Sequence, residues 1–143
     1  MRALLDVNVL IALLDSAHVD HGRARRWLAA HLRSGWASSP ITQNGCIRIL
    51  AQPNYPSPLP ASQVALRLAE ATADASHRFW PDSMSVLDAG RIDWARILGH
   101  RQVTDAYLLA LAVEHRGCFA TFDRRVDFRV VPGAKEANLV VID

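Results

Sequence analysis

At 143 residues, half of them hydrophobic and 21% charged, the chain is the size of one ordinary domain and apolar enough to bury a real core, which excludes a disordered segment. Its formal net charge is only +2, although Arg23, Arg25 and Arg26 cluster, as do Arg124, Arg125 and Arg129, and Lys135 is the sole lysine. Cys46 and Cys118 are too few and too far apart for a disulfide framework or a zinc site, which leaves buried reduced thiols in a protein expected to be cytoplasmic.

Ala3 to Leu5 reads as a short buried strand stopped at Asp6, after which Val9, Leu10, Leu13 and Leu14 fall at helical spacing up to Asp15. Asp6 and Asn8 interrupt this apolar start, no small-residue cleavage site follows, and the run is too short for a bilayer. No targeting or membrane segment is expected. Asp20 is placed to cap a second helix with Ala24, Trp27, Leu28 and Leu32 on one face and its arginines on the other, ended by Ser34-Gly35. Trp36 and Ala37 form a second strand, and Pro40 opens a third helix through Ile41, Ile47 and Leu50.

Prolines 53, 56, 58 and 60 make Pro53 to Pro60 a semi-rigid loop. A helix is expected over Ala61 to Ala75, a short edge strand over His77 to Trp80, and another helix over Ile92 to Leu98. Val103 to His115 is a strongly apolar helix ending at Gly117, and Cys118 to Thr121 and Leu139 to Ile142 are strands of the continuous apolar kind found in parallel sheets. The alternation of strands and helices without hairpin signals predicts one α/β sandwich domain over residues 1–143.

Four segments hold an acidic or amide residue where a strand gives way to a helix or loop: Leu4 to Ile11, Thr42 to Gly45, Val103 to Ala110, and Ala120 to Arg125. Functional groups in open parallel sheets gather at the carboxyl ends of the strands, and Asp6 and Asp123 each follow one. Asp105 falls in the first turn of its helix, where the dipole favours an anion. Singly, Asp6 is equally a turn residue and Asp105 a helix N-terminal charge. Together, three carboxylates beside apolar sequence point to a neutralising divalent cation, an oxygen-lined Mg²⁺ or Mn²⁺ site suited to phosphodiester chemistry. His18 and His21 lie a helical turn apart, but no third ligand is apparent and capping or packing explains them better.

The ordered set LLDVNVLIAL, TQNG, VTDAYLLALA and TFDRR resembles the PIN-domain ribonucleases, and more narrowly the VapC-type toxins of bacterial toxin–antitoxin operons. The resemblance covers essentially the whole chain. It implies a three-layer sandwich with a central parallel sheet of about four to five strands, an acidic pocket for Mg²⁺ or Mn²⁺, and endonucleolytic cleavage of RNA. It also implies a cognate antitoxin and a homodimer. By the same resemblance Asp6, Asp105 and Asp123 fall on the metal-site carboxylates, and Asn8 and Thr121 on supporting polar positions. Gln43 falls where many members have a glutamate. An amide carries no charge and cannot act as a base, so a pocket with three carboxylates instead of four should hold its cation less tightly.

Arg48, Arg101 and Arg124 are candidates for RNA phosphate contacts, set against solvated surface roles. Two other readings stand beside the ribonuclease. A DNA-directed nuclease would use the same carboxylates, but the chain lacks the arch and helical additions that branched DNA needs. A catalytically weak RNA- or partner-binding module is kept open by Gln43.

Overall fold

A computed structural model describes all residues, 1–143. The apolar runs form five short strands, β1 (Ala3–Leu5), β2 (Trp36–Ser38), β3 (His77–Phe79), β4 (Cys118–Thr121) and β5 (Leu139–Val141). All neighbours pair in parallel, in the order β3-β2-β1-β4-β5. The helices are α1 (Val7–Leu14), α2 (His21–His31), α3 (Pro40–Leu50), α4 (Ala61–Thr72) and α5 (Gln102–Glu114).

The pleat divides the core between the two faces of the sheet, because successive strand side chains point to opposite sides. Leu4 of β1 and Phe119 of β4 join Tyr107, Leu108 and Leu111 of α5 on one face. Ala3, Leu5 and Ala120 join Leu10 of α1, Cys46 of α3 and Leu68 of α4 on the other. The expected three-layer sandwich is what forms. Helix α5 is buried continuously from Ala106 to Ala112, because the sheet covers one side and Val130 and Val131 of the C-terminal segment pack on it as well.

Local sequence explains where each element stops. Ser39 caps α3: its hydroxyl accepts the Thr42 N–H at 3.4 Å while Thr42 Oγ1 accepts the Ser39 N–H at 2.8 Å, with Pro40 at the first helical position. Helix α5 ends in a Schellman motif, in which Gly117 N–H reaches Ala112 O at 2.8 Å and Arg116 N–H reaches Val113 O at 3.0 Å. The left-handed residue there is Arg116 (φ 56°), one place before the expected Gly117. Gly45 lets α3 lie against α1, since a Cβ there would come within 2.9 Å of Val7 Cγ2.

Three sequence expectations are corrected. Ile92 to Leu98 forms only a 3₁₀ turn at Trp94–Arg96, where the Asp93 side chain accepts the Ala95 N–H and favours a tight turn over a helix. Helix α4 ends at Thr72, short of Ala75. Asp20 stands at the N-cap of α2 without capping it, because its carboxylate pairs with Arg23 at 2.9 Å.

Candidate active site

Asp6 lies between β1 and α1, with its backbone N–H donated to Ala120 O of β4 at 3.0 Å. It is 8% exposed. Thr121, the last residue of β4, donates its hydroxyl to Asp6 Oδ2 at 2.8 Å and accepts the Asp123 N–H on the same oxygen at 3.1 Å. Burial pushes the Asp6 carboxyl up; the Thr121 hydroxyl and the Val7 N–H pull it back, and the Asp123 charge pushes it up again.

Asp105 arrives from the other side of the sheet on the first turn of α5. Burial raises its pKa to about 7, with Asp6 and then Asp123 adding repulsion. The three carboxylates named from sequence therefore share one electrostatic neighbourhood at the carboxyl edge of the sheet.

Asp123 behaves oppositely, its carboxyl held below the ordinary range by Arg125. Arg125 Nε and Nη2 clasp the two carboxylate oxygens at 3.0 and 2.9 Å, and its backbone N–H adds a third bond at 2.8 Å. In this conformation Asp123 is therefore engaged by a guanidinium. No group of three His, Cys, Asp or Glu side chains is placed to hold a metal in this conformation. The donor set still suits a hard divalent cation: all oxygen, with two carboxyls raised by burial and mutual repulsion that a positive charge would relieve.

Three clefts meet at these acids. The first, about 560 Å³, runs past Asp6, Asn8, Asn44, Arg48, Asp82 and Thr104. The second, about 540 Å³, runs past Asn8, His18, Asp123, Arg124 and Arg125. The third, about 280 Å³ and more enclosed, is bounded by Asp105, Asp123, Arg101 and apolar side chains. Asn8, Arg48, Arg101 and Arg124 thus all border the site, although Arg124 is also paired with Asp143.

Gln43 is not brought in. Its amide nitrogen donates to Ser38 Oγ at 2.9 Å, toward His77, and it lines none of the three clefts; on α3, Asn44, Gly45 and Arg48 face the cleft beside Asp6. Sequence reasoning missed Asp82 and chose Arg124 over Arg125. Asp82 lies in an exposed loop with no motif, and only the fold sets it at the cleft beside Asp6, where partial desolvation pushes its carboxyl up. His18 takes the Asp20 N–H on Nδ1 at 3.0 Å, the capping role expected, yet also borders the second cleft.

The family model of the PIN domain matches residues 3–134. The chain belongs to the PIN-domain family. This PIN domain is 52% identical over 142 residues to Ribonuclease VapC44 of Mycobacterium tuberculosis, covering 99% of this chain and 100% of that protein. It is 43% identical over 125 residues to Ribonuclease VapC39 of the same organism, covering 86% of this chain and 89% of the relative. These relatives place it in the VapC branch of the family. Among solved structures it shares its fold with VapBC2 from Rickettsia felis bound to a DNA fragment from their promoter (TM-score 0.66, 14% identity, all of both chains). It also shares it with Mycobacterium tuberculosis VapC20, a Sarcin-Ricin loop cleaving toxin (TM-score 0.60, 15% identity, 89% of this chain and 92% of that one).

Proposed function

We propose that this PIN domain is the endoribonuclease toxin of a toxin–antitoxin pair, hydrolysing phosphodiester bonds in transfer or ribosomal RNA to inhibit translation. The observation that carries the reading is the gathering of Asp6, Asp105 and Asp123 at one sheet edge, in a chain 52% identical to a VapC ribonuclease.

Asp6, Asp105 and Asp123 would hold Mg²⁺ or Mn²⁺. A divalent cation bound there supplies Lewis-acid chemistry, acidifying water and offsetting charge that builds on the phosphate. Thr121 holds the Asp6 carboxylate in one rotamer and anchors the backbone of Asp123. Asp105, its carboxyl pushed up to about 7 by burial and by the neighbouring acids, is the group whose ionised form a bound cation would relieve most. Arg48 and Arg101, exposed at the mouths of different clefts, supply positive charge for RNA phosphates.

An antitoxin is the expected protein partner, in keeping with the fold shared with VapBC2. We assign to it the apolar groove of about 380 Å³ between α1, α2 and α4, which contains Leu13, Leu14, Leu28 and Leu32. The chain would also pair with a second copy of itself. Val9 to Ala12 of α1 are consumed by the monomer core, leaving Leu66 of α4 exposed. Sedimentation showing only monomer at micromolar concentration removes it. No helix is long and apolar enough to cross a membrane, and a cytoplasmic location accords with the reduced thiols.

The test is cleavage of purified transfer and ribosomal RNA with Mn²⁺, with Asp123→Asn prepared in parallel. The reading expects discrete cuts from the wild type, none from the variant, and superimposable circular dichroism. The Arg125 clasp on Asp123 favours a second reading, a catalytically weak module that binds RNA or a partner. RNA binding without any cut in Mn²⁺ would select it.

A further inference from the structure

The small half-open cavity beside the acids is not needed for phosphodiester hydrolysis itself. Its walls are Leu98, Ala106, Val126 and Val130, and Asp105 and Asp123 form the side it shares with the active site. At about 280 Å³ it lies at the lower limit of small-molecule pockets, which suits one flat heterocycle and not a length of peptide.

One polar group in it is held in a fixed sense. Gln102 Oε1 accepts the Leu98 N–H at 2.5 Å and the Gly99 N–H at 3.2 Å, which fixes which end of the amide is oxygen. Gln102 lines the cavity, and its amide nitrogen makes no hydrogen bond within the protein. Asp127, the remaining acid there, is spent on Arg129 through bonds of 2.8 to 3.1 Å. Arg101 stands at the same cavity with no ion-pair partner.

We infer that this cavity is a base pocket: it takes the nucleobase of a nucleotide flanking the scissile phosphate, with Gln102 donating to a carbonyl oxygen on the base edge. The inference rests on the ribonuclease reading. An apolar slot receives the faces of an unstacked base, as proteins that read single-stranded RNA require. The shared Asp105 and Asp123 wall puts that base next to the reacting phosphate, and Arg101 can meet the phosphate that follows. A fixed donor donates to a carbonyl oxygen, as on uracil or guanine, and cannot satisfy the amino group that adenine carries where guanine has its carbonyl.

The decisive substrates are RNAs carrying an abasic site on one side or the other of the cut, used with wild-type protein. The expected result is a loss of about tenfold or more in kcat/KM on one side only, with uracil or guanine preferred over adenine there. Val126→Phe, which fills the cavity, should impose the same loss on intact RNA and no further loss on the abasic RNA. Equal cleavage of all abasic RNAs overturns the pocket. A second readout does not depend on cleavage: uridine 5′-monophosphate should shift the Val126 and Val130 methyl resonances. If no RNA is cut but these methyls move, the ribonuclease reading fails and the base pocket stands. If they do not move at millimolar nucleotide, or respond only to an antitoxin, the pocket is refuted.

Discussion

The Thr121 hydroxyl donates to Asp6 Oδ2 across 2.8 Å, linking the end of β4 to the end of β1 by a fully buried side-chain bond. Thr121 Oγ1 also accepts the Asp123 N–H at 3.1 Å, so one uncharged side chain sets the spacing of two acids. A hydroxyl suits this place because it satisfies a desolvated carboxylate without adding a charge that would compete with a cation.

Thr121→Val keeps the shape and removes both bonds. It should destabilise the fold by about 1–3 kcal/mol, the usual cost of stranding a buried polar group, and push the Asp6 carboxyl further up. Thr121→Ser should restore most of the loss. Urea denaturation of the three proteins at neutral pH measures this, and an unchanged midpoint for the valine variant would mean that Asp6 does not depend on Thr121.

Asp105 makes stability depend on pH. Its folded pKa of about 7 lies above the ordinary value of 3.8, so between those values the native state binds the extra proton. Stability from this group is therefore greatest at acid pH and declines as pH rises from about 4 to about 7. Asp105→Asn should abolish this slope and stabilise the metal-free protein above pH 7 by about 1–2 kcal/mol, after discounting for partial exposure. Melting temperatures across pH 4 to about 8 test it; parallel curves for wild type and variant would show that Asp105 is not strained.

Much of the scaffold was legible because its signals are local. The apolar runs of Ala3 to Leu5 and Cys118 to Thr121, and the Ser39-Pro40 helix start, need no tertiary information to read. Asp6, Asp105 and Asp123 were legible because each stands where an apolar element meets an edge. Ile92 to Leu98 misled because its helical spacing was outweighed by the Asp93 side chain turning back on its own backbone. Asp82 was invisible for the converse reason: its partners come from α3 and α5, distant in sequence. Gln43 turns to Ser38 while Asn44 lines the acid cleft, because one position along a helix is a rotation of about 100°.

Arg125 occupies, by its clasp on Asp123, the place of a positive charge within the acidic centre, and its charge also draws Asp105 downward. Arg125→Gln should free Asp123, let its carboxyl rise toward the ordinary value, and tighten Mn²⁺ binding several-fold at low salt. Arg125 is exposed, so wild type and variant should converge as salt screens the guanidinium. Calorimetric titration with Mn²⁺ at two ionic strengths decides it. Weaker binding in the variant would instead make Arg125 a support for the site.

Gln43→Glu separates the family expectation from the geometry. A fourth carboxylate in the acid centre would tighten the cation, but Gln43 turns to Ser38 Oγ, which also contacts His77 Nε2 at 2.8 Å. A glutamate there would accept from Ser38 and place its charge toward His77, whose own pKa is lowered chiefly by burial. The Mn²⁺ dependence of RNA cleavage should therefore overlay that of the wild type. The new charge would oppose that lowering, so any gain over the wild type should appear at acid pH, where His77 is protonated, and be lost as pH rises through the folded pKa of His77 in the variant. Titrating cleavage against Mn²⁺ for both proteins at two pH values, with melting curves alongside, is the measurement. A clear shift of the variant to lower Mn²⁺ would mean that residue 43 swings away from Ser38 to join Asp6, Asp105 and Asp123.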